Sequence, residues 1–87
     1  MEAKEYRIVL NYNNGGSLSE VVSATNATNA LKKAKAHNFL KNVMYQTGSA
    51  GTACAYRIHD DGTESSTPEV SLHCQYSPSG KWHARYW

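Results

Sequence analysis

The chain has 87 residues, a formal net charge of +2, 40% hydrophobic and 18% charged side chains. Those figures describe one small globular domain over residues 1–87, with a thin core that buries about two thirds of the surface its unfolded chain exposes. They exclude a disordered tail, and no run approaches the roughly 18 apolar residues a membrane span needs.

Tyr6, Ile8, Leu10 and Tyr12 alternate with Glu5, Arg7, Val9 and Asn11, the period-two pattern of a half-buried strand. Asn13-Asn14-Gly15-Gly16 follows, and Asn-Gly supplies the positive φ angles of a tight hairpin turn. Leu18 to Ser23 returns as a second strand. The period then changes: Ala27, Ala30, Leu31 and Ala34 mark one face of a helix, with Thr25 or Asn26 as its cap. Lys32, Lys33, Lys35 and His37 complement the dipole of its last turns, and Asn38 is the expected stop.

Val43 to Thr47 reads as a third strand, and 48–51 as a loop. Thr52 to His59 alternates Cys54, Tyr56 and Ile58 against Ala53, Ala55 and Arg57 as a fourth. Asp60-Asp61-Gly62 turns the chain, and the polar stretch from Thr63 to Pro68 is an exposed loop. Val70 to Tyr76 sets Leu72, Cys74 and Tyr76 on one side. After the turn Ser77-Pro78-Ser79-Gly80, the last strand sets Trp82, Ala84 and Tyr86 opposite Lys81, His83 and Arg85. The expected fold is α+β, in the order β-β-α-β-β-β-β. An antiparallel sheet of about five to six strands carries one short helix packed on one face.

Charge is sorted along the chain. No acid falls between Val21 and Asp60, while Lys32, Lys33, Lys35, Lys41 and Arg57 all do. A one-signed surface of this kind attracts anions and steers partners. The helix lysines read either as a solvated face or as a patch for nucleic acid. The C-terminal stretch from Lys81 to Trp87 is the densest mixture of aromatic and cationic side chains. In one reading Trp82 and Tyr86 fill the core beside a solvated cationic face. In the other, Lys81, His83 and Arg85 hold phosphates or carboxylates. Trp87 either docks back on the sheet or marks an interface.

The start of the chain is charged and has no apolar stretch suited to a secretion signal, so the expected location is the cytoplasm. Cys54 and Cys74 are then expected as free, buried thiols. His59, His73, Cys74 and His83 lack the spacing of a metal site, and adjacent His73 and Cys74 point to opposite faces of a strand. Neither metal nor cofactor is expected. Cys54 and His59 have the wrong parity for a nucleophile–base pair, and Asn14-Gly15-Gly16 is a hairpin turn, not a phosphate cradle. The chain is therefore not expected to be an enzyme.

The short N-terminal hairpin, the stretch from Val21 to Ala34 with its alanine-spaced helix, and the strands ending in Ser79-Gly80-Lys81-Trp82 resemble small phage-encoded anti-CRISPR proteins of the type I-F class. That resemblance covers about half the chain. It implies a non-enzymatic inhibitor that docks on an RNA-guided surveillance complex and blocks nucleic-acid binding. The expectation is then a phage or mobile-element protein whose partner is a host protein or ribonucleoprotein complex. The resemblance carries over no individual binding residue; the sorted charge and the terminal tryptophan put the expected working surface at Lys32, Lys35, Lys41, Arg85 and Trp87. Two other readings stay open: a nucleic-acid-binding module contacting phosphates with the same cations, and a homo-oligomer built on an open sheet edge.

Overall fold

A computed structural model describes residues 3–12, 16–44 and 49–86. Five strands form one antiparallel sheet: β1 (Lys4–Tyr12), β2 (Gly16–Ala24), β3 (Ala50–Ile58), β4 (Val70–Tyr76) and β5 (Trp82–Tyr86). Their spatial order is β2-β1-β3-β4-β5. Two short helices, α1 (Ala27–Lys33) and α2 (Ala36–Val43), lie between β2 and β3 in the chain and pack on one face. The α+β class and the antiparallel sheet are as the sequence implies; the number of helices is not.

The helical segment differs from expectation in two places. Asn26 does cap α1, its side chain accepting from the amide of Asn29 at 2.8 Å. Helix α1 then breaks at Lys35, which takes a left-handed conformation (φ 57) and starts α2. Asn38 lies inside α2 rather than ending a helix. Val43 closes α2 and Met44 caps it, so the third strand expected at 43–47 does not begin there; its residues 45–47 lie outside those described. The hairpin turn expected at 13–16 likewise lies outside them, except for Gly16, which opens β2.

Register decides which side chains face the helices. Tyr6, Ile8 and Leu10 of β1 are buried, and their neighbours across the ladder, Ala53 and Ala55 of β3 and Leu72 of β4, are buried with them. From above come Ala27, Ala30 and Leu31 of α1 and Ala36, Leu40 and Met44 at α2. Alanine faces alanine across much of this interface, which lets the helices sit close on the sheet. The volume comes from Tyr6, Ile8, Leu31, Leu40, Met44 and Leu72, each worth about 1.5–3 kcal/mol of apolar burial if aliphatic. Phe39 closes one side, edge-on to Tyr12 with ring centroids 5.6 Å apart.

Candidate functional site

Alternation that buries Tyr6, Ile8 and Leu10 turns the odd-numbered residues of β1 the other way. Their cross-strand partners follow, because directly opposed residues share a face. One row runs Ser17, Asn11, Thr52, His73, Arg85. The next runs Ser19, Val9, Cys54, Ser71, and beyond it come Val21, Arg7 and Tyr56. Among the described residues no helix covers this second face of the sheet.

Its chemistry is graded. Val9, Cys54, Tyr56 and Ile58 form a half-buried apolar centre, with Val21 exposed beside it. At one end Arg7 Nε donates to Glu64 Oε1 at 2.7 Å, with Glu64 held by its bridge to Ile58. At the other end Thr52, His73, Gln75, His83 and Arg85 line an open groove of about 680 Å³, and no acid is among its lining residues. With strands of nine residues, the face measures roughly 30 Å along the strands and about 20 Å across them.

The same register settles the cysteines. Cys54 lies on the uncovered face, its Sγ accepting from Ser71 Oγ at 3.5 Å, while Cys74 is buried under the helices. Both are free thiols, as expected, although Cys54 is only half-buried. Burial pushes the Cys74 thiol up to about 11, far from the thiolate a nucleophile needs. Among the described residues no three His, Cys, Asp or Glu side chains are grouped to hold a metal ion.

The residues expected to form one binding surface are divided by the sheet. Lys32 lies in the last turn of α1, Lys35 is the left-handed break and Lys41 lies on α2; all three are exposed on the helix layer. Arg85 pairs with His73 and faces the other way, since Trp82, which does face the helices, hydrogen-bonds to His37 of α2. Trp87 lies outside the described residues. Tyr86, read in one alternative as core, is 41% exposed at the sheet edge, whereas Trp82 packs on the core as expected. Asn11, Thr52, His73 and Gln75 joined no expected site. The signal for them was the parity shared by four strands, which becomes readable once Ala53 and Ala55 are known to be the buried side of β3.

No helix among the described residues is long and apolar enough to cross a membrane. Comparison with protein families, with curated proteins and with solved structures finds no match.

Proposed function

We propose that the protein acts by binding rather than catalysis, presenting the uncovered face of its sheet to a macromolecular partner. The observation that carries this reading is the face itself: an apolar centre flanked at one end by a groove lined by His73, His83 and Arg85 with no acid among its lining residues, and at the other by an ion pair. Its projected extent, roughly 600 Å², approaches the ~800 Å² each partner contributes to an interface of standard size. Such a surface favours adhesion, with apolar contacts at the centre and polar groups at the rim. The most concrete form is a phage or mobile-element inhibitor acting in the host cytoplasm on a nucleoprotein machine such as a CRISPR surveillance complex. The N-terminal hairpin, the alanine-spaced helix and the closing Ser79-Gly80-Lys81-Trp82 support that form by their resemblance to such inhibitors.

A second reading rests on the groove. His73, His83 and Arg85, with Thr52 and Gln75 between them, suit phosphates of a single strand laid across β3, β4 and β5. The lysines of α1 and α2 would remain a separate cationic surface.

Titration against single-stranded and duplex DNA at two salt concentrations separates the two. Steep salt dependence with DNA alone favours the second reading. No DNA binding, together with retention of a purified surveillance complex, favours the first. In either case joint reversal of His83→Glu and Arg85→Glu is expected to abolish binding, and Lys32→Glu with Lys41→Glu to preserve it. The opposite pattern would move the working surface to the helix layer.

A further inference from the structure

Strand β2 is one edge of the sheet and carries two exposed large apolar side chains, Leu18 at 48% and Val21 at 47%. Sheet edges are ordinarily blunted by lysine, proline, a bulge or short length. This edge is nine residues long, contains neither Lys nor Pro, and keeps unbroken register with β1 from Gly16 to Ala24. We propose that β2 pairs antiparallel with β2 of a second copy of this chain, about a two-fold axis through Val21.

That register is self-complementary. It sets Val21 against Val21 of the partner subunit, Ser19 against Ser23, Glu20 against Val22 and Leu18 against Ala24. Leu18, Glu20 and Val22 pair with Leu10, Ile8 and Tyr6, so all three stand on the helix side of the sheet. Val21 pairs with Arg7 and stands on the uncovered side. Both exposed apolar side chains are therefore covered, one on each face.

Charge selects the second copy as the occupant. Lys33, on the helix side, donates from Nζ to the carbonyl of Ser23 at 2.8 Å. In the proposed register Glu20 of the partner subunit lies beside Val22, one position from Ser23, within reach of that ammonium. The two-fold repeats the contact, giving two reciprocal ion pairs across the edge. A two-fold through Glu20 would instead oppose two carboxylates, which is destabilising. The interface is isologous and closes at two copies. A single edge ladder is smaller than a standard interface, so association in the micromolar range is expected. The uncovered faces of the two copies end on one side of a continuous sheet.

Sedimentation equilibrium from about 5 μM to about 1 mM tests this. A monomer–dimer equilibrium is expected, weakened about tenfold or more by Val21→Lys, which sets two ammonium groups on the axis. Glu20→Lys and Lys33→Glu each place like charges at both contacts and weaken self-association. An equimolar mixture of those two variants restores opposite charges at both contacts, so it is expected to associate more tightly than either alone. Circular dichroism checks that each variant is folded. A chain monomeric throughout the range, a dimer indifferent to Val21→Lys, or a mixture no tighter than its components would overturn the proposal. None of these results bears on whether the uncovered face binds another partner.

Discussion

Trp82 on the last strand donates from its indole Nε1 to His37 Nε2 on α2, at 2.9 Å across 45 residues of sequence. The rings meet edge-on with centroids 5.6 Å apart, and Tyr76 packs against the other side of the indole at 4.8 Å. Edge strand β5 is thereby tied to the helix layer by a half-buried aromatic whose polar handle is satisfied. Trp82→Phe keeps most of the ring contact and removes the donor. A loss of about 1 kcal/mol is expected, which lowers Tm by about 4–8 °C in a domain of this size. Trp82→Ala also removes the packing and is expected to cost about 3 kcal/mol. Thermal unfolding followed by circular dichroism measures both, and a Phe variant as stable as wild type would remove the hydrogen bond from the account.

Gly51 is the second residue of β3, where Met44 at the end of α2 comes down on the sheet. A Cβ there would strike the Sδ of Met44 and lie 2.8 Å from the carbonyl oxygen of Asn11. The methionine tip is able to move; the strand carbonyl is not. Gly51→Ala is therefore expected to destabilise by about 1–3 kcal/mol, as overpacking does, despite the lower chain entropy of alanine in the unfolded state. Urea unfolding provides the value. An alanine variant more stable than wild type would mean that backbone entropy outweighs the close approach.

Cys74 and Tyr6 predict a graded loss of stability in alkali. Desolvation raises the Cys74 thiol from 9.0 to about 11. It also raises the Tyr6 hydroxyl, with nearby Glu69 acting in the same direction and Arg57 against it. Both groups are neutral acids whose charged form the folded state disfavours. The unfolded chain therefore loses these protons first as pH rises, and stability present below about 9 is lost progressively toward about 11. Cys74→Val removes one of the two titrations and is expected to flatten the fall in Tm over that window. At pH 8 the half-buried Cys54 is expected to react with a maleimide well before Cys74 does, because only Cys74 is enclosed under the helices. Mass spectrometry of the singly labelled protein reads the site directly.

Strand alternation was the strongest signal in the sequence, and it located β1, β3, β4 and β5 to within a few residues; β2 followed from the turn before it and from Val21 and Val22. In β1, β3 and β4 one side is committed to the core, so period two is imposed by burial; β2 and β5 at the edges have no fully buried residue. The break between α1 and α2 carried no such mark. Lys35 adopts φ 57 without being Gly or Asn, the residues that ordinarily announce a left-handed turn. Asn38, a common C-cap, sits inside a helix instead, because Leu40 and Met44 gain more by burial than the local preference costs. The uncovered face was hidden for a different reason. In β3 the larger side chains Cys54, Tyr56 and Ile58 point away from the helices and the alanines point toward them. Size alone argues the reverse. Only the alanines of α1 and α2, which demand small partners, resolve the orientation, and that match spans elements far apart in sequence.

Arg7 and Glu64 offer a way to separate folding from binding on that face. Their ion pair is short, at 2.7 Å, yet both side chains are 38% exposed. Pairs so accessible to water and salt contribute about 0–1 kcal/mol. Arg7→Ala is therefore expected to unfold within about 1 kcal/mol of wild type, and raising salt to roughly 0.5 M, where screening acts over only a few ångströms, to leave even less difference. The loop that carries Glu64 is also held by backbone bonds, Ser65 to Arg57 and Glu69 to Ala55, both 2.9 Å, so it should stay in place without the ion pair. A larger loss of stability would mean that the pair anchors the 59–69 loop against the sheet. If stability is unchanged, any effect of Arg7→Ala on partner binding reports on the surface alone, because the fold beneath it is intact.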